Sequence, residues 1–115
     1  IATDAPLLPV QLQRLCRRAA LGMARTGAVS THGSGDLAIA FSTGNEAGPA
    51  AAESLQVLHS SRMTWLHKGV VEATEEAILN SLTAATTMVG RDGNTIHALP
   101  LDRLMDVMQL YGRAG

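Results

Sequence analysis

The chain has 115 residues, enough for one small domain, and 46% of them are hydrophobic, so a core can be buried. Its 9 Lys and Arg against 10 Asp and Glu leave a net charge of -1, which excludes the basic face that nucleic-acid binding requires. No run nears the roughly 20 apolar residues of a membrane helix, no secretory signal pattern is visible, and the single cysteine, Cys16, excludes an internal disulfide. Trp65, Tyr111 and Phe41 are the only aromatic residues, so the core has to be built from Ala, Val, Leu, Ile and Met.

The opening "IATDAPLLP" has no initiator Met and reads as the tail of a strand whose beginning lies upstream. "PLLPVQLQRLCRRAALGMARTG" predicts a turn and then a helix, with Pro9 in the first helical turn, where its missing N–H costs nothing. Leu12, Leu15, Cys16, Ala19, Ala20 and Met23 form its apolar face, and Gly27 supplies the stop. Arg14, Arg17, Arg18 and Arg25 read as a solvated face in preference to an anion site. Residues 34–43 alternate as a strand: Leu37, Ile39 and Phe41 on one side, Ser34, Asp36, Ala38, Ala40 and Ser42 on the other. Bulky residues on one face and small ones on the other predict cover on both, by helices on the first and by a closely approaching second sheet on the second.

"TGNEAGPAAAES" is read as a loop. A long amphipathic helix is predicted from Trp65 to about Val89, with Val71, Ile78, Leu82, Ala85 and Val89 on its stripe, widened by Val70 and Ala77. Glu72, Glu75 and Glu76 are expected on its wet side, toward the end where the helix dipole tolerates negative charge. "GRDGN" is a tight turn, and "LPLDRLMDVMQLYG" closes the chain as a helix with Leu101, Leu104, Met105, Met108 and Tyr111 inward. The five methionines read as core filler. One strand and one strand stub do not make a stable sheet, so the chain is expected to be part of a larger α/β layered domain that receives strands from elsewhere.

The string "THGSGDLAIAFSTGN" holds the candidate site. Ser34 and Asp36, two apart in an extended segment, emerge on the same face, and Gly33 and Gly35 leave room for another backbone or a ligand. A hydroxyl beside a carboxylate can hold or relay a proton for a neighbouring nucleophile. It can equally cap a turn, and from the residues alone that reading comes first. His32 sits beside the pair, but a triad of His32, Ser34 and Asp36 fails because triad members come from separated segments. With His59, His67 and His97 it shows no metal-ligand spacing, and no phosphate loop, dinucleotide fingerprint or calcium loop is present.

Three separated strings, "ATDAPLLP", "HGSGDLAIAFSTGN" and "EEAILNSLTAATTMVGRDGNTIHALPL", together resemble the β-subunit of the L-aminopeptidase/D-esterase family, which includes D-aminopeptidases and β-peptidyl aminopeptidases. The resemblance covers nearly the whole chain. It implies a precursor that cuts itself, so that a new N-terminal Ser becomes the nucleophile of the β-subunit. It implies a four-layer α/β/β/α sandwich completed by an α-subunit, like that of N-terminal-nucleophile hydrolases with different connectivity, and further assembly of αβ heterodimers. The substrate would be a small peptide, amide or ester with a free N-terminus, with no metal or organic cofactor, no nucleic acid and no membrane. The location would be cytoplasmic, or periplasmic if the precursor is exported. Ser34 and Asp36 match the family's Ser-Gly-acidic motif, which raises the catalytic reading above the turn. The nucleophile itself should precede "ATDAPLLP" by about half a dozen residues of strand and is therefore absent from these 115 residues; Thr3 does not take its place.

Two other readings compete with this aminopeptidase β-subunit. One is an acyltransferase of similar architecture, related to ornithine acetyltransferase. The other is a non-catalytic partner subunit in which Ser34 and Asp36 only form a turn.

Overall fold

The computed structural model describes residues 1–45 and 54–113. Most of the loop expected over "TGNEAGPAAAES" lies outside the described residues. The chain divides into two compact units, Ile1–Glu76 and Ala77–Gly115.

The first unit begins with strand β1 (Ala2–Thr3), which passes into helix α1 (Pro9–Arg25) and returns as strand β2 (Phe41–Ser42). β1 and β2 pair in parallel, Ala2 opposite Phe41 and Thr3 opposite Ser42. Pro9 occupies the first helical position, as expected. Gln11, three positions after the N-cap, accepts from the Leu8 N–H through Oε1 (3.0 Å). This is the return arm of a capping box, since Leu8 has no side-chain acceptor to complete the other. Its Nε2 donates to the Leu58 carbonyl (2.8 Å), so this buried polar side chain is satisfied at both ends. At the other end Gly27 takes φ of 96°. The Gly27 N–H reaches Ala24 O (3.1 Å) and the Ala28 N–H reaches Met23 O (3.2 Å), a Schellman stop.

Helix α2 (Met63–Ala84) follows a short 3-10 turn at Ser60–Arg62. The core of the first unit is Leu7, Leu15, Met63 and Val70, with Ile1, Ala5, Leu12, Ala19, Leu58 and Leu66 packed around it. The two helices cross at Gly22, where a Cβ would lie 2.5 Å from Val71 O and 2.6 Å from Thr74 Cβ. Three residues on, Arg25 pairs with Glu75 at 2.9 Å. Glu75 is therefore half-buried and paired, where the sequence predicted a solvated glutamate.

His67 is the uncomfortable residue of this unit. Its Nε2 is cut off from solvent and has no hydrogen-bond partner. Burial, and then the positive charges of Arg18 and Arg14, lower its pKa below the ordinary 6.5. The unfolded imidazole takes up a proton near pH 6.5 while the folded one does not, so the unfolded state binds more protons and stability falls as pH falls below that value. Denaturation midpoints are expected to drop between pH 7.5 and pH 5.5, and to drop less in His67→Leu. Equal pH dependence in the two proteins would show that His67 contributes nothing to it.

The second unit departs from the sequence reading. Helix α2 stops at Ala84 and does not run on to Val89. The β-branched and apolar run after it forms strand β3 (Met88–Val89), paired antiparallel with β4 (Thr95–Ile96). The Gly90 N–H donates to Asn94 O (2.7 Å), and Asp92 and Gly93 turn the chain with φ of 58° and 76°. These left-handed conformations suit Asp and Gly, and they end a helix as firmly as they make a hairpin. Helix α3 (Leu101–Leu110) follows, closed by a second Schellman arrangement at Gly112, φ 61°. Leu104 and Met108 are half-buried, but Leu101, Met105 and Tyr111, expected inward, are exposed. A two-strand hairpin and one helix offer too little surface to cover them. No helix of the described residues is long and apolar enough to cross a membrane.

Candidate functional site

The segment from Ala28 to β2 carries the candidate site. The strand predicted over 34–43 enters the ladder only at Phe41–Ser42, although hydrogen bonds from the Ile1 amino group to Ile39 O (2.7 Å), from Phe41 N–H to Ile1 O (3.0 Å) and from Thr43 N–H to Thr3 O (2.9 Å) extend it at both ends. Residues 34–40 have no strand element, because β1 is the strand beside them and it starts at Ala2. Consequently Leu37 is 86% and Ile39 70% exposed. The expected cover over both faces of this strand is not provided by the described residues.

Within the segment, the turn and the pairing coexist. The Ser34 N–H closes a turn onto Thr31 O (2.8 Å), which satisfies the backbone, while the Ser34 hydroxyl is left free for its side-chain partner. That partner is Asp36: Ser34 Oγ donates to Asp36 Oδ2. Ser30 Oγ donates to the same carboxylate oxygen at 3.3 Å. Two hydroxyls thus converge on one oxygen of an exposed carboxylate. The donor of Ser34 is committed to Asp36, which leaves the Ser34 oxygen able to act as an acceptor.

A Cβ built on Gly33 or Gly35 would meet nothing within 4 Å, and neither residue has a positive φ. Nothing in the described chain therefore requires these two glycines. His32 is exposed and takes no part in the Ser30–Asp36–Ser34 contacts, in keeping with the rejected triad. Among the described residues no group of His, Cys, Asp or Glu could hold a metal ion. A groove of about 460 Å³ lies between the start of α1 and residues 57–60, lined by Leu8, Val10, Arg14, Val57, Leu58 and His59 among others. It contains neither Ser34 nor Asp36; His59 and Ser60 line its edge, and His59 Nδ1 lies 2.9 Å from Ser61 Oγ on the exposed 3-10 turn. The residue that sequence reasoning missed is Ser30, because a hydroxyl six residues from a carboxylate meets it only after an intervening turn.

Comparison with known proteins shows what the chain is similar to. Residues 1–96 match the model of peptidase family S58. The chain is 42% identical over 116 residues to the β-peptidyl aminopeptidase of Sphingosinicella microcystinivorans, covering 98% of this chain and 29% of that protein. It superposes with a TM-score of 0.88 on a protein from Pyrococcus horikoshii OT3, 46% identical, across 96% of this chain and 32% of the other. It superposes equally well, TM-score 0.88, on the L-aminopeptidase D-Ala-esterase/amidase of Ochrobactrum anthropi, described as a prototype serine aminopeptidase and a new variant of the Ntn hydrolase fold. That match is 34% identical and covers 97% of this chain and 32% of the other. The chain therefore has an α/β fold like that of these neighbours, and it spans about a third of the length of the relatives it matches.

Proposed function

The chain belongs to peptidase family S58, and from that membership we propose that it is the β-subunit of a self-processing serine aminopeptidase. The α-subunit of the same precursor would supply the remaining strands of a four-layer α/β/β/α sandwich, and αβ heterodimers would assemble further. Substrates would be peptides, amides and esters with a free N-terminal residue. The names of the relatives, one acting on β-peptides and one on L-amino-acid and D-Ala substrates, support this class without choosing within it.

The observation that carries the reading is the register of the parallel ladder. Ala2 lies opposite Phe41 and Thr3 opposite Ser42, an offset of 39, and the same offset carried upstream would set Asp36 and Ser34 opposite the positions four and six residues ahead of Ile1. A β1 strand continued upstream in this register would bring its residues alongside the hydroxyl–carboxylate pair. On the family resemblance the nucleophilic serine would fall in the same stretch, about half a dozen residues ahead of "ATDAPLLP". Gly33 and Gly35, which nothing in the described chain explains, would give that strand room.

In this mechanism the N-terminal serine, deprotonated with help from its own α-amine and steered by Ser34, attacks the substrate carbonyl carbon. An Oγ–C bond forms, the C–N bond breaks, and the leaving amine takes the proton. Water then cleaves the acyl-enzyme and restores the hydroxyl. Asp36 holds the Ser34 proton throughout, keeping the Ser34 oxygen an acceptor toward the nucleophile. Donors for the oxyanion, and the acid that binds the substrate's amine, would come from the α-subunit.

Intact mass and N-terminal sequencing of the whole protein test the processing. Two polypeptides are expected, the smaller beginning with Ser a few residues ahead of Ile1. A single uncut polypeptide that hydrolyses aminoacyl p-nitroanilides at full rate would overturn the reading.

A further inference from the structure

Ser30 is a serine in a conformation that serine seldom takes. Its φ is 44°, in the left-handed region, where a side chain costs energy and glycine would be free of strain. It caps no helix and closes no backbone turn in the described chain. What it does there is donate its hydroxyl to Asp36 Oδ2, the same oxygen that receives Ser34. A carboxylate turns easily about its terminal torsion, because sp³–sp² rotation is broad and two-fold. One hydroxyl would leave Asp36 free to swing with Ser34. A second hydroxyl, held on a different stretch of backbone, fixes which oxygen faces Ser34.

We infer that Ser30 is a positioning residue of this site: it locks the Asp36 carboxylate, which in turn keeps the Ser34 lone pairs directed at the incoming nucleophile. The inference rests on the proposed role of Ser34 and Asp36, and it adds a residue six positions away with no place in the Ser-Gly-acidic motif. The order of action is serial, so Ser30 touches neither substrate nor nucleophile, and its loss lowers turnover without altering substrate binding.

The choice of substitution separates this from a merely structural role. Ser30→Gly relieves the left-handed backbone and removes the hydroxymethyl side chain, hydroxyl included. A residue kept for the turn would be replaced by glycine with no loss of activity, and with equal or greater thermal stability. A residue kept for its hydroxyl loses about tenfold in kcat, the scale of one hydrogen bond to a charged group, with KM within twofold of the parent. Ser30→Asn, which tolerates the left-handed region and retains a donor, is expected to recover part of that loss.

The measurement is steady-state hydrolysis of an aminoacyl p-nitroanilide by the whole protein, comparing the parent, Ser30→Gly, Ser30→Asn, and Asp36→Ala with and without Ser30→Gly. The expected result is a kcat loss for Ser30→Gly in the parent and none in the Asp36→Ala background. Parental kcat in Ser30→Gly, with Asp36→Ala strongly impaired, would overturn the Ser30 inference and leave the site standing. Parental kcat in Asp36→Ala would overturn the site itself, and the inference with it. A Ser30→Gly loss of equal size in both backgrounds would overturn the route through Asp36.

Discussion

Ser34→Ala is expected to lower kcat for aminoacyl p-nitroanilide hydrolysis about a hundredfold or more, with the protein still folded. The size follows from what the hydroxyl contributes. In the proposed mechanism Ser34 aligns the nucleophile as an acceptor, and a misplacement of about 1 Å in a reacting group costs roughly 10²-fold in rate. The Ser30 hydroxyl in the same loop is itself engaged with Asp36 Oδ2, and His32 is not part of the contacts. The fold should tolerate the change. Ser34 is exposed and its backbone N–H, which closes the turn onto Thr31 O, is untouched. Asp36→Asn keeps the shape and removes the charge, and its loss should be similar, since an amide no longer anchors both hydroxyls as a carboxylate does. Circular dichroism and thermal melting would verify the fold while steady-state kinetics read the rate. Activity within twofold of the parent for both variants would return Ser34 and Asp36 to the role of turn formers and favour the non-catalytic partner subunit.

Gly44→Ala should be strongly destabilising. Its Cβ would sit 2.4 Å from Asp4 O, 2.6 Å from Pro6 N and 2.7 Å from Ala5 C. All three are backbone atoms, so no side chain can swing aside, and the segment that leaves β1 must move away from the segment that leaves β2. The same place is tied by Ser42 Oγ, which accepts from the Gly44 N–H (3.0 Å) and donates to Ala5 O. Overpacking of this kind costs on the order of 3 kcal/mol. The midpoint of thermal or urea unfolding reads it. Gly69→Ala is the counterpart. Its Cβ meets nothing within 4 Å inside α2, and it should raise stability by about 0.5–1 kcal/mol because alanine is the better helix former. If the two alanines shift stability equally, close approach at Gly44 is not a constraint on the fold. Displacement at Gly44 would also loosen the β1–β2 ladder, and on the proposed alignment of the site activity should fall with stability.

The sequence was most informative where one residue dictates local geometry. Pro9 and Gly27 bracket α1 to the residue, since a missing N–H and a left-handed φ of 96° each permit one position and little else. It was least informative where periodicity and turn chemistry compete. The apolar stripe that ends at Val89 satisfies a helix on paper, but the dipeptide Asp92-Gly93, flanked by Met88–Val89 and Thr95–Ile96, is a hairpin signal of equal strength, and the hairpin prevailed. Gln11 and Gly22 could not be recognised as buried, because their reasons lie in other segments: the Leu58 carbonyl and the Val71 backbone. At the site, the Ser34–Asp36 pair was legible from two-residue spacing. Ser30 was not, since only the three-dimensional turn brings it to the same oxygen.

The parallel pairing of β1 with β2 also bears on when the site comes into being. Bringing Ala2 to Phe41 closes a loop whose entropic cost grows with its length, on the order of 3 kcal/mol for a span of this size against under about 2 kcal/mol for the β3–β4 hairpin. Helices and hairpins form on microsecond scales from neighbours in sequence, whereas non-local strand pairs are slow. The helices and the hairpin are therefore the early structures of this chain, and the β1–β2 ladder that follows residues 34–36 is a late one. A self-cleaving precursor built on this plan would remain intact until its folding was nearly complete, with chain topology acting as the timer.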